Sequence, residues 1–176
     1  MIFTETELKG AYIIELEPIC DERGFFARTW CSTEFAKRDL NPKLVQCNIS
    51  YNAKRGTLRG MHYQQEPFTE AKLVHCIRGA IFDAIVDLRP ESQTHFKWFS
   101  IKLTADKHNM LYIPEGFAHG FLTLQDNTEV FYQMTNSYAA DYASGIRWDD
   151  PIINIKWPFS PLIIAEKDRS YGDICV

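Results

Sequence analysis

The sequence lacks both a long apolar run and an excess of charge of one sign. No window approaches the roughly 18 consecutive apolar residues of a membrane-spanning helix, and residues 1–18 lack the basic start and apolar centre of a secretory signal. The 19 Lys and Arg residues nearly balance the 23 Asp and Glu residues, for a net charge of −4. A general nucleic-acid or membrane surface needs an excess of basic residues. We therefore expect a cytoplasmic protein without nucleic-acid or membrane partners.

Cysteine pairs at metal-binding spacing are also absent. The five cysteines are scattered and odd in number: Cys20, Cys31, Cys47, Cys76 and Cys175. This distribution favours free thiols in a reducing compartment over a disulfide framework or a zinc site. The sequence likewise contains no P-loop, no GxGxxG after a strand, no GxSxG and no HExxH. The common nucleotide-loop, hydrolase and zinc-protease motifs are therefore missing.

Short β-rich segments separated by Gly and Pro turns make up most of the chain. The clearest are residues 11–18, 71–90, 96–105, 109–124 and 128–134. This pattern predicts an all-β sandwich or barrel, with a jelly roll as the favoured form. The 176 residues suffice for one domain with a real core and are too few to expect two.

Two segments give more detailed expectations. Residues 71–90 predict a hairpin around Gly79, because two β-rich runs flank it. The second run alternates, with Phe82, Ala84, Val86 and Leu88 on one face and Asp83, Ile85 and Asp87 on the other. Residues 32–40 give the one clear helix signal, with Ser32 as its cap and Pro42 beyond its end.

Two of the five histidines stand beside glycines where turns and strands meet. They are His62 in GMHYQ and His119 in GFAHGF. Each suits a buried structural histidine, a metal ligand or an acid–base group that titrates near neutral pH. The segment PEGFAH resembles the second motif of the cupin superfamily, but GMHYQQE offers one histidine where metal-binding cupins carry His-x-His. A metal shell needs at least three converging ligands, so acid–base chemistry is favoured.

An acid–base histidine works best when a carboxylate holds its second ring nitrogen. Asp83, Asp87 and Asp168 are the candidates, and sequence spacing does not choose among them. Lys72 opens a predicted strand and Tyr132 lies within another. Taken singly, they are also compatible with a solvated lysine and a packed core tyrosine.

Two arginines next to glycines suggest an anion site. Arg23 lies in DERGFF and Arg59 in LRGMH. The planar guanidinium matches phosphate oxygens bidentately, although surface ion pairs would leave the same pattern. Phe25 and Phe26, directly after the first of these glycines, could wall a base or a sugar.

An ordered set of motifs carries a family resemblance. The segments RGFF, QCNIS, LRGMHYQ, AKLVHCIRGAIFDAIVDLR, YIPEGFAHGF, TEVFYQMT, GIRWDDP and KWP follow one another from about residue 5 to about residue 170. Together they closely resemble the dTDP-4-dehydrorhamnose 3,5-epimerase family. The resemblance implies a cupin-like jelly roll (a double-stranded β-helix) with a few short flanking helices, and a single domain over residues 1–176. It also implies a homodimer, no metal or organic cofactor, and a nucleotide-diphosphate 4-keto-6-deoxyhexose as substrate.

The resemblance also implies roles for individual residues. For the reaction these are His62 as the base, Asp168 as its orienting carboxylate, Lys72 as the cation that stabilises an enolate oxygen, and Tyr132 as the acid on the opposite face of the sugar. For substrate binding they are Arg23 and Arg59 at the diphosphate, Gln46, Asn48, Phe25 and Phe26 near the nucleotide or sugar, Tyr138 against the ring, and His119 with Asp83 as a second pair lining the pocket.

One position departs from the family pattern. Arg28 stands where many thymidine-specific members carry a glutamate, so we expect Arg28 at the nucleotide and keep a CDP-sugar as an alternative substrate. Related enzymes with the same dyad invert only one carbon, which keeps a 3- or 5-mono-epimerase open. The remaining rivals are a nucleotide-sugar-binding cupin without catalysis and a metal-dependent cupin oxygenase. The leading hypothesis is inversion of carbons 3 and 5 of a dTDP-4-keto-6-deoxyhexose in deoxysugar biosynthesis.

Overall fold

β-Strands account for nearly all the regular structure of the chain. A computed structural model describes residues 1–174. Its strands are β1 (Ile2–Glu5), β2 (Tyr12–Glu15), β3 (Ile19–Asp21), β4 (Gly24–Phe26), β5 (Gln46–Asn52), β6 (Thr57–Gln64), β7 (Lys72–Arg78), β8 (Ala80–Asp87), β9 (Trp98–Thr104), β10 (Met110–Ile113), β11 (Phe117–Thr123), β12 (Thr128–Met134), β13 (Ala143–Gly145) and β14 (Ile163–Ile164). Within the described part, helices α1 (Ser32–Ala36) and α2 (Glu166–Arg169) and a 3₁₀ turn (Ala140–Tyr142) complete the regular elements. None of these helices is long and apolar enough to cross a bilayer.

Two sheets face each other across the main core. The first has the strand order β1-β2-β10-β7-β12-β5, and the second has the order β13-β6-β11-β8-β9 with β14 added parallel to β6. Leu111, Val74 and Val130 of the first sheet pack with Ile85 and Phe121 of the second. The strands β3 and β4 form a separate hairpin. The predicted all-β fold of two layered sheets is confirmed, whereas the single domain over residues 1–176 stays a prediction.

The two faces of β8 pack against different parts of the chain. Ile81 and Ile85 point into the core between the sheets. Ala84 and Val86 point to the other side, where they pack with Ile153 and other residues of the chain's last third. The predicted division of this strand into two faces is therefore confirmed. Because both faces are covered, the aspartates of β8 are buried too, and Asp83 and Asp87 have no exposed surface.

The predicted hairpin at residues 71–90 is wrong. Both strands form, but β7 pairs with β10 and β12, while β8 pairs with β11 and β9. A single residue, Gly79, separates them, and a hairpin needs a loop of at least two residues. Gly79 has φ +78°, and a Cβ there would lie 2.6 Å from Thr128 Oγ1. The chain thus turns a corner and passes from one sheet to the other.

The predicted helix at residues 32–40 is shorter than expected. It spans Ser32–Ala36, and Cys31 rather than Ser32 occupies the N-cap position, without a side-chain cap. The buried Phe35 ring packs edge-on against Phe3 and Tyr112. Packing of this one ring, more than capping chemistry, therefore holds so short a helix in place.

Candidate active site

A cavity of about 550 Å³ opens between the two sheets. Its walls include Tyr132 of β12 and Lys72 of β7 from the first sheet, and His62 of β6 from the second. A smaller space of about 180 Å³ adjoins it and shares these three residues and Arg59. Residues from distant parts of the sequence thus converge on one concave site, the usual form of a small-molecule site.

His62 and Asp168 form a hydrogen-bonded pair at this cavity. His62 Nε2 lies 2.7 Å from Asp168 Oδ1, and the Gly60 amide donates to Asp168 Oδ2 at 3.1 Å. Asp168 is buried on α2, whereas His62 is partly open to the cavity. Burial raises the pKa of Asp168, but the hydrogen bond and charge of His62 and the Gly60 amide outweigh it, so the pKa lies below its ordinary value. The carboxylate is therefore kept charged and can support an imidazolium.

A second histidine–aspartate pair lies beside the first. His119 Nε2 is 2.7 Å from Asp83 Oδ1, and strand pairing places His119 opposite His62. Both residues are buried, and Asp83 Oδ2 has no hydrogen-bond partner within residues 1–174. His119 lines the smaller space, and Asp83 supports it from β8.

Lys72 presents a buried ammonium between the two walls. Its Nζ lies 3.0 Å from Glu70 Oε1 and donates to the backbone oxygen of His62 at 3.3 Å. The Lys72 and Glu70 side chains are only 10% and 3% exposed. A cation held in so dry a place interacts strongly with any negative charge that develops nearby.

Tyr132 faces the same cavity from the opposite sheet to His62. Its strand β12 lies between β5 and β7, with Tyr132 in register with Asn48 and Val74. Burial raises the pKa of Tyr132, and the nearby Arg59 guanidinium offsets only part of this effect. The phenol therefore stays protonated across the neutral range and is available as a proton donor.

Polar side chains extend the site away from His62. Arg59 Nε donates to Asn52 Oδ1 at 2.8 Å while Arg59 lines both spaces. Gln46 Nε2 donates to Asn48 Oδ1 at 3.2 Å, and Gln46 Oε1 accepts from the Tyr138 amide at 2.9 Å. This part of the wall offers a fixed cation and amide groups, which suit a phosphorylated, polar ligand.

Comparison with known proteins fits this arrangement. A sequence model of dTDP-4-dehydrorhamnose 3,5-epimerase matches residues 5–174. The chain belongs to the dTDP-4-dehydrorhamnose 3,5-epimerase family. It is 47% identical over 172 residues to dTDP-4-dehydrorhamnose 3,5-epimerase from Methanothermobacter thermautotrophicus, which covers 96% of this chain and 92% of the relative.

Solved structures of the family agree with this relationship. The enzyme of that name from Elizabethkingia anophelis matches with a TM-score of 0.95 at 36% identity, over 98% of this chain and 96% of the other. The one from Bacillus anthracis, with TDP and PPi bound, matches with a TM-score of 0.93 at 40% identity, over 98% and 99%. The predicted family, jelly-roll fold and enzyme class, an epimerase, are therefore confirmed.

Four residues predicted from the family pattern lie outside the cavity of their own chain. Arg23 sits in the β3–β4 turn with its side chain 85% exposed, and it is ion-paired with Asp21. Phe25 and Phe26 are exposed on β4. Arg28 binds Glu34 Oε1 at 2.7 Å. None of the four lines either space, and their predicted contact with substrate stays a prediction.

Sequence reasoning missed several residues that line the cavity, among them Glu70, Lys167 and Tyr171. The ring of Tyr171 meets that of His62 edge-on at a centroid distance of 6.1 Å. It fits against Gly145, where a Cβ would lie 2.4 Å from the Tyr171 ring. Glu70 could have been predicted, because it lies two residues before Lys72 and residues two apart in extended backbone lie on the same face. Nothing in the sequence pattern marks Tyr171.

The family resemblance also implied that no metal or cofactor is used. In the described residues 1–174, no group of three or more His, Cys, Asp and Glu side chains is arranged to hold a metal ion. The absence of a cofactor stays an expectation.

Proposed function

We propose that this chain is a dTDP-4-dehydrorhamnose 3,5-epimerase, which inverts carbons 3 and 5 of a dTDP-4-keto-6-deoxyhexose in deoxysugar biosynthesis of the dTDP-rhamnose type. One observation carries the proposal: His62 with its carboxylate and Tyr132 with its raised pKa face one cavity from opposite sheets. Inversion of a carbon needs a base on one face of the ring and an acid on the other. A protein that merely binds a nucleotide sugar needs neither.

The 4-keto group makes the hydrogens on the two neighbouring carbons acidic. His62 takes one of them as a proton, and the electron pair of the C–H bond moves into an enolate. Since Asp168 holds Nε2, Nδ1 is the nitrogen that accepts the proton. Lys72 stabilises the negative charge on the enolate oxygen. Tyr132 then returns a proton to the same carbon from the opposite face, and exchange with solvent restores both groups.

The remaining predicted residues hold the substrate. Arg59 binds the diphosphate, and Gln46 and Asn48 contact the nucleotide end. Tyr138, carried on the segment after β12, lies against the sugar ring, and His119 with Asp83 supports the ring from the second sheet. The related structure from Bacillus anthracis holds TDP, which favours a thymidine nucleotide over the CDP alternative.

The active form is a homodimer under this proposal. The β3–β4 hairpin exposes Ile19, Phe25 and Phe26, and the edge strand β5 exposes Ile49 and Tyr51. Exposed apolar groups of this size mark association surfaces. In a dimer, the hairpin would carry Arg23, Phe26 and Arg28 to the cavity of a second copy, which accounts for their position outside their own.

The proposal also places the protein in the cytoplasm, where conditions are reducing. The described cysteines Cys20, Cys31, Cys47 and Cys76 are free thiols, and two of them are exposed. Cys175 lies outside the described residues. Exposed free thiols persist where glutathione and thioredoxin keep them reduced.

The deciding experiment is proton exchange in deuterated water. Purified protein is incubated with dTDP- or CDP-4-keto-6-deoxyglucose, and NMR follows deuterium at each ring carbon while a coupled reductase traps the product. We expect deuterium at carbons 3 and 5 of the dTDP-sugar. Label at one carbon would indicate a mono-epimerase, faster exchange with the CDP-sugar would change the substrate, and no exchange with either would refute the proposal.

Two variants separate the roles of base and acid in the same assay. His62→Ala should abolish exchange, whereas Tyr132→Phe should permit proton loss while impairing inversion, because the base remains. Tyr12→Phe on β2 is the matched control, since Tyr12 lines neither space. Wild-type turnover in the His62 variant would overturn the role of that residue.

A further inference from the structure

A buried ion pair at the cavity wall is left unexplained by the proposed reaction. Glu70 and Lys72 flank Ala71, whose amide donates to Thr135 Oγ1 at 2.8 Å and whose carbonyl accepts from the Thr135 amide at 3.1 Å. This pairing fixes the backbone at the start of β7, so both side chains point to the same side. Oε1 of Glu70 consequently meets Nζ of Lys72 at 3.0 Å.

The position of the Lys72 ammonium is defined by two acceptors. One is Glu70 Oε1, and the other is the backbone oxygen of His62 at 3.3 Å. An ammonium has three N–H donors, so one is left for a ligand in the cavity. The two contacts therefore fix the direction of the third N–H of Lys72. They also fix the position of its ammonium group relative to the backbone of His62.

Stability does not account for Glu70. A buried ion pair contributes little net stability, because desolvation of both ions offsets their attraction. Glu70 Oε2 is also buried and has no hydrogen-bond partner in the described part of the chain, which adds to the cost. An apolar or amide side chain would fill this position at a lower cost, so the carboxylate points to a role in the site.

The charges around Lys72 show what that role is. The second sheet directs Arg59, His62 and His119 toward the lysine, β12 contributes Tyr132, and α2 contributes Lys167 and Asp168. The carboxylates of Asp168 and Asp83 are engaged by the two histidines. Among the described residues, Glu70 is therefore the carboxylate that contacts Lys72. Without it, burial and the neighbouring cations would favour the neutral amine.

We propose that Glu70 is a positioning residue for the epimerisation: it keeps Lys72 protonated and aims its free N–H at the 4-keto oxygen of the sugar. This inference rests on the proposed function, because it assumes that an enolate forms beside Lys72. Glu70 itself does not touch the substrate. The negative charge of Glu70 reduces the electrostatic stabilisation of the enolate, but it also keeps Lys72 positively charged.

The first test is the pH profile of deuterium exchange for Glu70→Gln. Glutamine keeps the shape and the acceptor oxygen but removes the charge. The alkaline limb of kcat/KM should move about one to three pH units lower than in the wild type, since an opposite charge at this distance shifts a pKa by that amount. At low pH, where Lys72 is protonated in both proteins, Glu70→Gln should keep most of the activity that the wild type shows at the same pH.

Two further variants separate charge from structure. Glu70→Asp keeps the charge and should restore the alkaline limb toward its wild-type position, even if turnover is reduced. Glu66→Gln, exposed on the same loop, should leave the profile unchanged. An equal loss of activity at every pH in Glu70→Gln would show a merely structural role and overturn the proposal.

The second test needs no substrate. In wild-type and Glu70→Gln proteins labelled with ¹³C-lysine, the Lys72 resonance is followed by NMR from pH 6 to pH 11, with Lys72→Met for assignment. The resonance should titrate at a lower pH in Glu70→Gln than in the wild type, because the variant lacks the neighbouring negative charge. The same titration in both proteins would overturn the proposal. If Lys72 titrates as expected but the wild type exchanges no sugar proton, the proposed function fails and the charge-holding role of Glu70 stands.

Discussion

Three basic residues of the cavity each contact a carboxylate. Asp168 serves His62, Asp83 serves His119, and Glu70 serves Lys72. This pairing places one negative charge beside each of the three basic side chains. Asp168 and Asp83 lie far in sequence from the histidines that they contact, whereas Glu70 lies two residues before Lys72.

The Asp168 carboxylate should be worth several orders of magnitude in rate. We expect Asp168→Asn to lower kcat for exchange by about 10²–10⁴-fold, because the amide neither fixes the His62 tautomer nor stabilises its charged form. Glu166→Gln on the exposed side of the same helix is the control and should be unaffected. Deuterium exchange at saturating substrate measures both, and a fully active Asp168→Asn variant would remove the dyad from the mechanism.

At the scale of single residues, the sequence locates most of the candidate site. The family resemblance singles out His62, Lys72, Tyr132 and Asp168, and the structure brings all four to one cavity. Their roles in the reaction stay predictions. Tyr171 could not be inferred, because its place beside His62 depends on the path of the chain after α2 and on the space left by Gly145.

At the scale of elements, the backbones of β6 and β11 approach each other closely at Gly60 and Gly120. A Cβ on Gly60 would stand 2.4 Å from Gly120 Cα, and the pairing register of the two strands shifts between His119 and Phe121. These strands carry His62 and His119, so the absence of a side chain at Gly60 and Gly120 sets the separation of the two histidines.

Gly120→Ala should therefore damage both stability and catalysis. The added methyl would lie 2.7 Å from Met61 Sδ and 2.8 Å from the Arg59 backbone oxygen. We expect a loss of about 1–3 kcal/mol in the free energy of unfolding, measured by urea titration, together with slower exchange. Gly172→Ala is the control, because no atom lies within 4 Å of its added Cβ. A variant as stable as the wild type would contradict the close approach.

The loop between β8 and β9 is organised by one buried carboxylate. Asp87 accepts hydrogen bonds from Arg89, from Ser92 Oγ at 2.6 Å and from Thr94 Oγ1 at 2.7 Å. Burial alone would raise the pKa of Asp87, but these hydrogen bonds together lower it to about 2. The stabilisation is thus present above the ordinary aspartate value and is lost as the pH falls from about 4 to about 2.

Asp87→Asn should be destabilised in a pH-dependent manner. At pH 7 we expect about 2 kcal/mol less unfolding free energy than in the wild type, and the gap should close toward pH 2. Urea titrations at several pH values measure it, with the exposed Asp106→Asn as control. A gap that is the same at every pH would assign the loss to packing rather than to charge.

The sequence predicts the positions of strands better than it predicts which strands pair. The sequence located β12 at its observed bounds and both strands around Gly79, because alternation and turn residues are local signals. It failed on the partners of β7 and β8, since a one-residue corner and a hairpin turn look alike in sequence. The cap and the end of α1 were wrong, although its first residue was right: Cys31 occupies the N-cap position, the helix ends at Ala36, and packing of Phe35 holds it in place.

At the scale of the whole molecule, the exposed apolar residues of the β3–β4 hairpin predict association of two copies. We expect Phe26→Asp to weaken the dimer, because a charged side chain would replace an apolar one in the proposed contact. Activity per chain should then fall on dilution, because the hairpin would no longer reach the cavity of the second copy. Sedimentation equilibrium over a concentration series measures the first effect, and exchange assays measure the second. Leu162→Asp, exposed near β14, is the control. A wild type that is monomeric at all concentrations would refute the dimer.

The corner at Gly79 bears on how the site adapts to different sugars. It joins the wall that carries Lys72 to the wall that carries Asp83 by a single residue, and a Cβ on Gly79 would lie 2.6 Å from Thr128 Oγ1. Because so short a connection limits how far the two walls can separate at that end, we expect the sheets to contribute little to the accommodation of a bulkier ring. Adjustment falls to residues 135–139 and to the segment after α2, which carry Tyr138 and Tyr171. Exchange of these two segments between relatives should alter substrate breadth while the sheets stay as they are.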